Sequence, residues 1–473
     1  VPSHPSLELD REQARALLDA AHHGDAGAVE RFRAHHPRFR SATAEQVRAA
    51  ALHDAQLVVA REYGFGSWPR WKQFVETRRL DAGERAAELV RAACSGDMRK
   101  ASMLLGAEPA LETFDLHTAC VCGASEHVER LLQRDASLAT RAGGPLGRAP
   151  ILDACFSRFL RSDAGRAAGI VRVVRLLLDH GADANAHFFL QEGAERWIQT
   201  CLYAAAGIAN NAELTRMLLS AGADVNELLG DPGDDVSAGG FGPEALYHAS
   251  ELADVTCLRL MLEASPPPHP KRISYCLARM LDFENPAGVE LFLRHGADSN
   301  FRIPWMHHRT HLHRAIVYGR GLAIVRMLVD AGGDPDAADD LGMTPLRSAV
   351  QHGREDVVAL LRAAGADDGR VTPDDLVAGA VARGQGAPSQ TPRLDPDLLC
   401  YAAMRNEVEV IRRLLNAAPT RTPSEVSTTR LRFTGPAGAA ATRPPGSWSK
   451  PAPTSVRSTD MAGWRSTRRC TDR

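Results

Sequence analysis

The stretch LGMTPLRSAVQHGREDVVALLRAAGADD, residues 341–368, decides the fold. Thr344 is placed to cap a helix with its hydroxyl, and Pro345 sits at the first helical position, where a missing N–H costs nothing. Leu346, Ala349 and Val350 recur at helical spacing. Gly353 suits the left-handed end of a short helix. A second helix follows, with Val357, Val358, Leu360 and Leu361 facing inward, and Gly365 ends it before the turn Ala366-Asp367-Asp368. Two helices this short cannot bury their apolar faces alone, so the unit requires neighbours of its own kind.

The neighbours are present. LLLDHGAD (176–183), MLLSAGAD (217–224), LFLRHGAD (291–298), MLVDAGGD (327–334) and LLRAAGAD (360–367) end alike. Their glycines, at 181, 222, 296, 332 and 365, are spaced 41, 74, 36 and 33 apart. The gap of 74 holds one more degenerate unit, ALYHASELADVTCLRLMLEAS (245–265), so the period is close to 33 with insertions.

With its TPLR start, Ala-rich first helix and VVxLL second helix closing on GAD, the unit resembles the ankyrin repeat. Tetratricopeptide units lack the GAD turn, and HEAT units are longer. Further matching stretches are THLHRAIVYG (310–319), TCLYAAAGIAN (200–210), APILDAC (149–155) and LHTACVCGASEHVERLL (116–132). AAELVRAACSGDMRKASMLL (86–105) and LLCYAAMRNEVEVIRRLL (398–415) read as further pairs, and ARALLDAAHHGDAGAVERF (14–32) as an N-terminal unit. The resemblance covers about 14–418 and implies an all-α solenoid of about nine to ten helix-pair units. His311 stands where the family has Pro, and Pro266-Pro267-Pro268 replace one GAD. Insertions are expected at about 158–169, 186–199 and 228–243.

Three segments follow: a helical N-terminal cap (1–80), the repeat array (85–418) and a tail (419–473). Within the cap, ALHDAQLVVAREYGFGSWPRWKQFVETRR (51–79) resembles a segment that precedes ankyrin repeats in bacterial proteins. Helices are expected at 55–63 and 69–78, with Trp68, Trp71 and Phe74 forming an aromatic cluster.

The tail is rich in Arg, Pro, Thr and Ser and lacks helical periodicity, so it reads as disordered and basic. With GC-rich codons, the frame starting two bases later from Arg432 can spell LHWAG and VVEAGAD, parts of another repeat. The tail is therefore read as the product of a frame slip near Ala417-Ala418. The pair 398–415 would then lack a C-terminal neighbour, leaving Leu399, Ile411, Leu414 and Leu415 partly bare.

Bulk properties narrow the function. The 473 residues carry a formal charge of −2, divided as +7 in the tail and −9 in the body, against the clustered basic charge that nucleic acid binding requires. No run is long and apolar enough to span a bilayer. Residues 1–10 lack basic and apolar signal regions, and the nine scattered Cys fit buried free thiols in a reducing, cytoplasmic setting. GxSxG, HExxH and P-loop patterns are absent, so no catalytic, cofactor or metal residue is assigned.

The densest cluster is Trp305-Met306-His307-His308-Arg309-Thr310-His311-Leu312-His313. Four His in seven residues raise the question of zinc, but their spacing disfavours it. His313 occupies the family's TPLH histidine, for which the resemblance implies a structural hydrogen bond. Trp305, His307, His308 and Arg309 are instead read as partner-binding residues of an exposed turn. The resemblance implies a non-catalytic scaffold that binds an unidentified protein through loop tips and the concave first-helix face, with no nucleic acid or membrane partner. The alternative is a regulatory or targeting module for an enzyme domain encoded downstream or separately.

Overall fold

The computed structural model describes residues 6–78, 80–192, 195–227, 244–385, 395 and 397–417. The expectations for 228–243 and for 419–473 lie outside the described residues.

Helix pairs follow one another from Ala82–Ser95 and Met98–Ala107 to Pro345–Gln351 and Glu355–Ala363. First helices pack against first helices, and second against second, along the array. The expected repeat at 341–368 forms as its residues require. Arg347 N donates to Thr344 Oγ1 at 3.2 Å, and Leu346, Ala349, Val357 and Leu361 are fully buried. Gly296 and Gly365 close their second helices at φ 85° and 92°, the left-handed region that glycine enters without a Cβ penalty.

Beyond several of these turns, a polar residue stitches the loop to the next one. Asn300 Nδ2 donates to Gly332 O at 2.8 Å, and Asp334 N donates to Asn300 Oδ1 at 2.8 Å. Asn185 makes the same two bonds, with Gly222 O and Asp224 N. Asp336 accepts from Asp367 N at 3.0 Å. Consecutive loop tips are thereby held in register.

The N-terminal element packs its own core, from Ala14 to Val59. Its helices include Leu7–His22, Ala26–His35, Leu52–Glu62 and Trp68–Arg78. Trp71 is fully buried among Tyr63, Phe65 and Phe74, and its indole N–H donates to Asp10 at 2.8 Å. Trp68 lies half-buried beside this cluster.

The structure departs from the sequence reading in three places. The insertion near 186–199 is an antiparallel hairpin, His187–Glu192 with Glu195–Thr200. Thr372-Pro373 opens an extra first helix, Pro373–Arg383, capped by Thr372 and packed on Pro345–Gln351. Leu398–Met404 therefore does not take that slot in the row. It crosses the exposed side of earlier first helices, as described below. Leu414, expected bare, is buried against Val381 and Leu398, while Leu415 is exposed as expected.

Candidate functional site

The turn 303–309 begins from a strained local geometry. His307 and His308 both adopt left-handed backbone, at φ 53° and 52°, uncommon for residues with a Cβ. The turn closes through Ile303 N to Arg309 O at 2.9 Å. It is tied to the next repeat by Asp340 N to His307 O at 2.9 Å and by His308 Nδ1 to Asp340 at 2.7 Å. Arg302 adds a bond to Ala338 O at 2.8 Å.

This geometry swings Arg309 inward, and its placement corrects the reading of it as an exposed residue. Arg309 has no solvent exposure. Its Nε donates to Asp339 at 2.8 Å, its Nη2 to Asp395 at 2.6 Å and its Nη1 to the Tyr401 hydroxyl at 2.8 Å. Burial opposes the guanidinium charge, but Asp395, Tyr401 and Asp339 outweigh it and hold the pKa above the ordinary value. Asp395 is nonetheless pushed up by its own burial. Removing one member of such a buried pair costs about 3–5 kcal/mol, because the other charge is left uncompensated.

The remaining candidates divide. Trp305 is half-buried, edge-on to Tyr275 at 5.3 Å. His307 retains 39% side-chain exposure and reaches Asp397 at 3.3 Å, and His308 retains 49%. His311 and His313 are fully buried. His311 stacks on Phe301, and burial beside Arg314 lowers its pKa to about 3. His313 bonds Thr310 Oγ1 at 2.9 Å and Met343 O at 3.1 Å, the structural role that the TPLH resemblance implies. The four histidines thus have four different sets of neighbours, and no metal-ligating cluster occurs among the described residues.

Sequence reasoning missed the partners of this turn. Asp395, Asp397, Tyr401 and Arg405 come from 86 to 96 positions later in the chain. Tyr401 packs with Val317 and beside Tyr318 and His352. Asp395 N donates to Gln351 Oε1 at 2.9 Å, and Arg405 bonds Val317 O and His352 Nδ1. Val317, Tyr318, Gln351 and His352 end two successive first helices, so the covering segment lies across the first-helix row. Asp339 lies in the turn of the next repeat, 30 positions after Arg309, within reach of the local period, whereas 395–405 had no such signal.

Residues 277–371 match the family model described as ankyrin repeats (3 copies), and residues 199–228 match the single ankyrin repeat model. The chain is similar to the E3 ubiquitin-protein ligase KEG of Arabidopsis thaliana, at 26% identity over 322 residues. That match covers 59% of this chain but 18% of the plant protein. It is also similar to the ankyrin repeat domain of Bcl-3, described as a unique member of the IkappaB protein family. There the identity is 25%, the TM-score 0.39, and the coverage 52% of this chain and 97% of that one. The class is therefore a helical protein carrying ankyrin repeats, a module that generally serves protein–protein interaction. Among the described residues, no helix is long and apolar enough to cross a membrane.

Proposed function

We propose that this chain is a non-catalytic scaffold of bacterial, cytoplasmic type that binds a protein through its loop tips and first-helix face. Its working division is cap (1–80), array (85–418) and tail (419–473). The observation that carries the reading is the face itself: between Arg309 and His352 it holds a protein segment through charge, hydrogen bonds and an aromatic side chain. Trp305, His307 and His308 border that place on the solvent side, and Arg309 forms its floor. A second reading, a targeting module attached to an enzyme, draws on the ligase named above, most of whose length lies beyond the match.

Co-purification with the tagged full chain tests the proposal. A captured protein should be lost with Trp305→Ala/His308→Ala and retained with Arg326→Ala/Arg362→Ala on the second-helix side. Equal retention by both variants would count against binding through this face.

A further inference from the structure

The first-helix row does not present an empty surface to solvent around Arg309. Val317 has no exposure and Gln351 has 1%, although both lie at the ends of first helices on the side away from the second-helix row. What covers them is the chain's own Asp395 and residues 397–405. Tyr401 is 6% exposed, Asp395 4% and Asp397 6%, so the contact is closed to solvent.

The chemistry of the contact is specific. Arg309 offers its planar fork to two carboxylates and a phenol hydroxyl, an arrangement that a point charge such as Lys could not reproduce. Asp397 approaches the same guanidinium at 3.8 Å while pairing with His307. The Tyr401 ring lies 5.4 Å from the Arg309 guanidinium and 5.9 Å from Tyr318. Arg405 ends the segment on the carbonyl of Val317, where the negative end of a helix favours a cation. The segment thus presents Asp395, Asp397, Tyr401 and Arg405 in one reading direction.

The covering helix has features of an occupant. It is seven residues long, like the first helices it crosses, so it holds only through its tertiary contacts. Met404 at its end and Val408 beyond it are more than half exposed. It packs mainly on Val408–Ala417, and Leu398 joins Val381 of Pro373–Arg383 in one small buried cluster, short of the lengthwise stacking of a further first helix.

We propose that the face around Arg309 is a binding site for a short acidic–aromatic helix of the pattern Asp-x-Asp-x-x-x-Tyr, and that residues 395–405 fill it in cis until a partner segment of that chemistry displaces them. The proposal rests on the scaffold reading and names its partner class. The site is then self-masked: a partner competes with a tethered copy of its own motif, and tethering raises the local concentration that the partner must overcome.

The probe is a fluorescent peptide of residues 395–407, DPDLLCYAAMRNE, kept reduced and titrated into the full chain. In the Asp395→Ala/Tyr401→Ala chain the site is open, and the peptide should bind at least tenfold more tightly than to the unaltered chain. Adding Arg309→Met should abolish binding, as should replacing both Asp by Asn in the peptide. Should the Arg309 variant fail to fold by circular dichroism, Gln351→Ala and Val317→Glu in the opened chain test the same face. Equal binding by open and unaltered chains, or binding indifferent to all three face substitutions, overturns the proposal. A dimer formed by exchange of 395–405, seen by size-exclusion with light scattering, would make a second copy the occupant and overturn the cis arrangement. Partner capture that persists while the peptide fails would leave the scaffold reading standing and remove only the motif assignment.

Discussion

Gly169→Ala sets helix propensity against packing, and the structure decides the sign. Gly169 lies inside Ala164–Asp179 and is buried. In an isolated helix, Ala is better than Gly by about 1 kcal/mol. Here an added Cβ would meet Gly123 O at 2.2 Å, below the 3.0 Å that real Cβ contacts respect. The obstacle is backbone at the left-handed end of Leu116–Cys122, so no rotamer change relieves it. The helices must separate by roughly 1 Å, and overpacking of that kind costs about 1–3 kcal/mol. Because the clash is backbone on backbone, the upper part of that range applies, giving a net loss of about 2 kcal/mol after the propensity gain. Gly106→Ala, with nothing within 4 Å, is the control and should be neutral or gain up to about 1 kcal/mol. Gly365→Val also meets nothing within 4 Å but sits at φ 92°, so it should lose about 1–2 kcal/mol from backbone strain alone. Urea unfolding followed by circular dichroism ranks the three. A Gly169→Ala chain as stable as the unaltered one would refute the close approach of these repeats.

Acid should loosen the array. Burial holds His311 down at about 3, His313 at about 4 and His352 well below the ordinary value, so each stays neutral when folded. Below pH about 6.5 the unfolded chain takes up protons that the folded chain refuses, at about 1.4 kcal/mol per pH unit for each histidine. Glu227, raised to about 8 by burial, offsets one of them, since it stays protonated when folded. Melting temperature should therefore fall from pH 7 to 5 and fall less in a His313→Asn chain; a flat profile contradicts the buried neutral state. Elemental analysis should find no stoichiometric zinc, and one zinc per chain lost in a His307→Ala/His308→Ala variant would reverse the assignment of that turn. Resequencing the gene should show LHWAG and VVEAGAD in the alternative frame after Ala417; their absence makes 419–473 a true basic extension.

The repeats were legible because they are local and periodic. Thr344-Pro345, the spacing of Leu346, Ala349 and Val350, and Gly365 each state a short-range requirement, and each is met where expected. The hairpin 187–200 was hidden by its brevity and by its place inside a helical period. Leu398–Met404 misled for the opposite reason: CYAAM carries the small-residue pattern of a first helix, while Thr372-Pro373 upstream had already opened the helix that takes that slot. Arg309 was read as exposed because isolated arginines usually are. Its burial depends on Asp395 and Tyr401, 86 and 92 positions away, and no periodicity links them.

The contact between Arg309 and Tyr401 carries the account, and a double-mutant cycle measures it directly. Arg309→Met and Tyr401→Phe, separately and together, are unfolded in urea. A hydrogen bond to a buried charged donor at 2.8 Å should give a coupling of about 1 kcal/mol or more. Additivity within about 0.3 kcal/mol would mean that these residues do not meet, and that the first-helix face is not held by the segment 395–405.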